Sequence, residues 1–119
     1  MYPPPPHAVV SLLIGQIVDT VTFCLFTIHI QFQDGDRISL ACPFRFGTRE
    51  SLASLDFQTF PIKASNLMRV VGTSIADVAT EPDGTLSMIF ATGDQLVAYA
   101  NDPAYEAYTL LVNGKEYLV

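Results

Sequence analysis

The residues able to do metal or nucleophilic chemistry in this 119-residue chain are few and scattered. Two histidines are present, His7 in a proline-rich start and His29 in an apolar run, with two cysteines, Cys24 and Cys42. None of these has the close spacing that zinc ligands use. A Cys42–His29 nucleophile pair fails on parity: in the strand pairing expected below, His29 points away from the face carrying Cys42. No glycine-rich phosphate loop and no G-x-S-x-G occurs. Carboxylates remain. Asp34, Asp36, Asp83 and Asp94 sit in turn sequences, where aspartate serves local hydrogen bonding. Asp19 and Asp77 recur at similar places in two halves of the chain. They read as strand-edge or turn aspartates, and alternatively as a paired acid site. The expectation is no catalytic residue, no metal and no cofactor.

Two segments place aromatics beside charges just past a strand end, where loops often carry binding residues. These are Pro43-Phe44-Arg45-Phe46 and Asp102-Pro103-Ala104-Tyr105-Glu106-Ala107-Tyr108. The candidate binding residues are therefore Phe44, Arg45, Phe46, Asp102, Tyr105, Glu106 and Tyr108, with Arg45 and Glu106 able to pair. Packing and capping is the competing reading of both.

The elements that would position them come from an internal similarity. Ile28, Ile30, Phe32, Gly35, Asp36 and Ile38 align with Leu86, Met88, Phe90, Gly93, Asp94 and Leu96. Asp19 then aligns with Asp77, and an apolar run precedes both Gly15 and Gly72. The chain reads as two copies of a short helix followed by three strands. The expected class is α+β, dominated by antiparallel sheet, closed into a roll or partial barrel with a C-terminal hairpin. All 119 residues form one domain: a proline-rich tail over 1–7, units at 8–42 and 61–100, a link over 43–60 and the hairpin at 101–119.

In detail, the first helix spans Ala8 to Ile14 with Gly15 as its cap. Strands follow over 16–24 and 25–33, the second alternating apolar and polar residues. A three-residue Asp34-Gly35-Asp36 loop puts Phe32 opposite Ile38, Ile30 opposite Leu40 and Ile28 opposite Cys42. A one-residue slip would turn every side chain to the wrong face. Likewise, a Thr92-Gly93-Asp94 loop sets Phe90 opposite Leu96. Cys24 then lies ~13 Å along the strand line from Cys42, too far for a disulfide, so both thiols are expected reduced and buried. Residues 43–61 read as an irregular link, and about 61–71 as a second helix with Pro61 in its first turn. Strands follow at about 73–80, 85–91 and 95–100. Asn113-Gly114 reads as a tight hairpin turn between the last two strands.

Half the residues are hydrophobic and 15% are charged, where about 25% is usual. That apolar balance suggests a covered surface, and a homodimer is expected. Net charge is −6, which disfavours nucleic acid and suits a basic protein partner. The apolar stretch from Ala8 to Phe32 contains Asp19 and alternates like a strand, so a membrane span is rejected. A cytoplasmic location is expected, because the start lacks the cations of a signal peptide.

The strongest local motifs are Pro43-Phe44-Arg45, Asp83-Gly84-Thr85-Leu86 and the Asp102–Tyr108 run. Their order, over about residues 12–113, resembles a family of small bacterial proteins of unknown function, in which Tyr108 is commonly Trp. The resemblance carries no activity. Small acidic proteins of similar kind serve as immunity proteins, an analogy only. The expected function is therefore a non-enzymatic binding protein of the immunity type that neutralises a basic toxin or nuclease. The alternative is a small-molecule domain with its site between Phe44/Arg45 and Tyr105/Glu106.

Overall fold

The computed structural model describes residues 4–50, 54–62, 64–100 and 107–119. It begins with a one-turn helix, α1 (His7–Val10), that tightens into a 3-10 turn over Ser11–Leu13. Three strands follow: β1 (Val18–Phe23), β2 (Ile28–Phe32) and β3 (Arg37–Leu40). Next are β4 (Phe44–Thr48) and β5 (Asp56–Gln58), then a 3-10 turn over Leu67–Val70. The chain continues with β6 (Ile75–Thr80), β7 (Leu86–Phe90) and β8 (Asp94–Ala98), and finishes with β9 (Tyr108–Val112) and β10 (Lys115–Leu118).

These strands make two open, antiparallel, five-stranded sheets, in the orders β1-β2-β3-β9-β10 and β5-β4-β8-β7-β6. The mainly antiparallel architecture agrees with the sequence. The closed roll or barrel does not form: each sheet keeps two edges. The segments leading into β1 and β6 meet at an isolated Ile17–Ser74 bridge. Four backbone hydrogen bonds surround it, from Gly15 N–H to Ile75 O, Gly72 N–H to Val18 O, Val18 N–H to Thr73 O and Ile75 N–H to Gln16 O.

Alternation explains the core. In β2, β7 and β9 every second residue is buried, so one face of each sheet is apolar. The two apolar faces merge into a single cluster containing Ile28, Ile30, Ile38, Leu40, Tyr108 and Leu110 from one sheet. Phe44, Phe46, Leu86, Met88, Phe90 and Leu96 come from the other. Val10, Leu13, Leu67 and Val70, all fully buried, fix the two 3-10 turns onto this cluster. Each such side chain contributes about 1.5–3 kcal/mol by burial.

The structure corrects several local expectations. Ile30 pairs with Ile38 and Ile28 with Leu40, so the register is two residues from the expected one. The loop is Gln33-Asp34-Gly35, closed by Phe32 N–H to Asp36 O at 2.9 Å and Gly35 N–H to Phe32 O at 3.1 Å. Gly35 (φ 99°) supplies the left-handed third position such a loop requires. The second hairpin shifts the same way, pairing Met88 with Leu96. An even shift preserves which side chains face inward. Cys24 is exposed rather than buried, because β1 turns at its end and Cys24 N–H donates to Thr27 O. Both cysteines are free. Residues 43–61 are not an irregular link, since β4 and β5 lie there. The second helix shrinks to the Leu67–Val70 turn. Asn113-Gly114 is the tight turn expected, with φ of 52° and 79°.

Candidate functional site

The aromatic candidates are core residues. Phe44 and Phe46 lie on the inner face of β4, both buried. Phe44 packs on Phe60 with ring centres 6.4 Å apart, and Phe46 meets Phe90 edge-on at 6.3 Å. Tyr108 is buried in the other sheet and donates its hydroxyl to Gly84 O at 2.6 Å. Burial pushes its phenol pKa up, so it stays a neutral donor. Arg45 points to the outer face, donating to Leu55 O at 3.2 Å, with its guanidinium 5.1 Å from the Phe57 ring centre. Asp102, Tyr105 and Glu106 lie outside the described residues. The two motif segments feed different sheets, because β4 pairs with β8 while β9 pairs with β3.

The remaining chemistry-bearing groups are also dispersed. His29 stands on the outer face of β2 with Nδ1 2.7 Å from Ser39 Oγ, its cross-strand partner on β3. Burial pushes the Cys42 thiol up to about 12. Asp19 and Asp77 are exposed and do not correspond. Asp19 is the extra residue of a β1 bulge, whereas Asp77 pairs with Ile89 after the β6 bulge. Both sit on edge strands, where a bulge and a charge discourage strand addition.

Among the described residues, the buried carboxylates are Asp36 and Asp94 instead. Asp36 accepts from Gln16 Nε2 at 2.8 Å and from Asn113 N–H at 3.0 Å. Asp94 is gripped at both oxygens by Arg69, at 3.0 and 2.6 Å, and accepts from Thr92 Oγ1 at 2.9 Å. Burial acts to raise the Asp94 pKa. The Arg69 and Thr92 hydrogen bonds and the Arg69 charge outweigh it, so the net shift is downward. Each aspartate ties a hairpin loop to a segment arriving from elsewhere. The sequence marks them as turn residues, because turns favour aspartate for local hydrogen bonds.

Among the described residues, a concavity lies at the edge of the second sheet. It has a volume of about 330 Å³ and is walled by β4, β5 and the segment leading into the Leu67–Val70 turn. Its polar lining includes Thr48, Glu50, Asp56, Gln58, Asn66 and Arg69. Two shallower hollows of about 380 and 300 Å³ flank it, sharing Gln58. The cause is an inverted edge strand. Asp56 pairs with Phe46 and Gln58 with Phe44, so the β5 residues on the Phe44 and Phe46 side are polar, with Asp56 exposed and Gln58 half-buried. Phe57, between them, faces outward and is 53% exposed. The corresponding inner positions of β10 are Tyr117 and Val119, as an edge strand with an apolar inner face should have.

The electrostatics follow from the lining. Arg69 is committed to Asp94 and also rests over Phe46, 5.2 Å from its ring centre. Glu50 and Asp56 line the cavity with no ion pair within 4.0 Å among the described residues, and Asp56 adds a coulombic pull on the Arg69 guanidinium. Gln58 Oε1 is a buried acceptor without a hydrogen-bond donor. Acceptors and negative charge therefore converge on one hollow, an arrangement suited to a cationic group with several N–H donors. A signal for it was present in the sequence: Asp56-Phe57-Gln58 alternates polar-apolar-polar beside the alternating Phe44-Arg45-Phe46.

The DUF6188 family model, describing a family of unknown function, matches residues 9–119. The chain belongs to the DUF6188 family. No curated protein and no solved structure matches it. The match covers both sheets of this DUF6188 chain and the whole of the acidic concavity. Among the described residues of this DUF6188 chain, no helix is long and apolar enough to cross a membrane.

Proposed function

We propose that the chain is a non-enzymatic binding protein that captures a cationic side chain of a basic protein partner. An immunity-type inhibitor of a basic toxin or nuclease is the form of this function that its charge suits. The observation that carries the reading is the inverted β5. A protein with half its residues hydrophobic places an exposed Asp56 and a half-buried Gln58 on the Phe44 and Phe46 side of its edge strand and turns Phe57 to the outer side. Such a reversal sacrifices packing, and a local rule broken in this way marks a functional position. The net charge of −6 adds long-range attraction for a basic surface and raises the encounter rate. A guanidinium or ammonium inserted beside Glu50 and Asp56 would also supply the donor that Gln58 Oε1 lacks.

The small-molecule alternative moves to the same hollow, since Phe44, Phe46 and Tyr108 are committed to the core. A volume of about 330 Å³ falls at the lower end of ligand pockets. An NMR titration separates the two readings. An arginine-rich peptide is expected to shift the amides of Glu50, Asp56 and Gln58, with affinity falling as salt rises. Free arginine alone should bind far more weakly. Asp56→Asn should weaken peptide binding about tenfold or more. A peptide that leaves these amides unmoved would overturn the proposal, and saturation by free arginine at low concentration would favour the small-molecule reading.

We further read the chain as two copies of one unit that exchange their final hairpins. In support, the Gly15 and Val18 hydrogen bonds mirror those of Gly72 and Ile75. β1-β2-β3 and β6-β7-β8 have the same order within their sheets. The hairpin after each, β4-β5 or β9-β10, joins the other unit's sheet.

A further inference from the structure

We propose that the chain associates with a second copy of itself through the uncharged apolar face at the junction of its two sheets. This face lies around the Ile17–Ser74 bridge. The Ser11–Leu13 turn and Ile14 bring Leu12 (49% exposed) and Ile14 (43%) to one side of Ile17 (38%). On the other side, the Leu67–Val70 turn and Val71 bring Met68 (64%) and Val71 (47%). The backbone hydrogen bonds from Gly15 and Gly72 across the junction hold both groups beside the bridge. The helix and 3-10 turn over His7–Leu13 bury Val10 and Leu13, and the second 3-10 turn buries Leu67 and Val70. They thereby leave Leu12 and Met68 facing solvent.

Charge selects the occupant. Two copies carrying −6 each repel, so self-association is favoured on a face whose carboxylates are few and held, as Asp36 is by Gln16 and Asp94 by Arg69. Residues 8–18 contain no charged group, and 64–75 contain only Arg69, whose guanidinium is held by Asp94. A basic partner is drawn instead to the acidic surface, which this face lacks. Size agrees: five partly exposed aliphatic side chains make a patch of the roughly 300–600 Å² that marks interaction sites. Apposed with its copy and ringed by the polar residues Ser11, Gln16 and Ser74, it approaches the roughly 1,000 Å² that a specific interface requires. A second apolar surface, at Phe23, Leu25 and Phe26 on the β1–β2 turn, is a single loop tip and serves as the control.

Sedimentation velocity over a protein concentration series tests the proposal. The expected species has twice the 13.0 kDa chain mass. Raising salt should increase the dimer fraction, because screening removes the like-charge repulsion; binding of a basic partner responds in the opposite direction. Ile17→Asp and Met68→Asp should each weaken association about tenfold or more, with circular dichroism and melting unchanged at the exposed Met68. Leu25→Ser combined with Phe26→Ser should leave the dimer intact. A wild-type chain that stays monomeric at high concentration and high salt would overturn the proposal. So would a dimer that survives both aspartate variants, or one that the loop-tip variant dissolves.

Discussion

Cysteine and aspartate show how burial decides chemistry in this chain. Cys24 is exposed at a turn, whereas Cys42 is buried with its thiol pKa pushed up to about 12. Thiolate is the reactive form, so a thiol-specific reagent should modify one cysteine per folded chain and two in denaturant, a count that mass spectrometry reads directly. Asp94 illustrates the opposite shift. Folding lowers its pKa, so its contribution is fully present above the unfolded value of about 3.9 and is lost as pH falls through the lower folded value. Asp94→Asn should cost about 1 kcal/mol at neutral pH, allowing for the 43% exposure of the Arg69 side chain. Urea melts of the two proteins should begin to converge as pH falls below about 4 and meet only below the lower folded value.

At the scale of elements, glycine positions separate strain from space. Gly35 and Gly84 both have positive φ. A Cβ on Gly35 would meet open space, whereas one on Gly84 would lie 3.0 Å from Val119 Cγ1 and 3.2 Å from Ala100 Cβ. Gly35→Ala should therefore cost only the left-handed backbone penalty, about 1–2 kcal/mol. Gly84→Ala should lose more, by displacing Val119 against the Tyr108 anchor, and denaturant midpoints measure the difference. What the sequence made legible follows the same logic of range. The β2 alternation, the side-chain faces of both glycine hairpins and the Asn113-Gly114 turn are local patterns, and each appears in the structure. The pairing of β4 with β8 and β9 with β3 is long-range and leaves no mark on local periodicity. Phe44-Arg45-Phe46 was therefore read as a binding loop when its alternation meant a core strand. The concavity was missed for a related reason, because its residues come from β5, its flanking loop and the Leu67–Val70 turn. The second helix expected from the Pro61 signal is shorter, since among the described residues of 61–71 Leu67 and Val70, three residues apart, are the fully buried ones and Ile62 packs only partly on the core.

For the whole molecule, the two proposed surfaces divide the labour by charge. The concavity beside β5 offers carboxylates to a basic partner, and the junction face offers neutral aliphatic side chains to another copy. The opposite salt responses of the two interactions make them separable in a single preparation.

The strand order carries a consequence for how this chain is made. β3 lies in the middle of the first sheet, yet its neighbour β9 is translated about 70 residues later. A ribosome that has completed the first three strands has therefore produced a sheet with one apolar flank still open. β4, next in line, cannot close it, since it waits for β8. Neither half of the protein can finish before the other begins, so folding depends on the late chain returning to the early one. That places this small protein among slow, long-range folders, and it gives a nascent chain a period of exposed strand edge in which chaperone binding matters most.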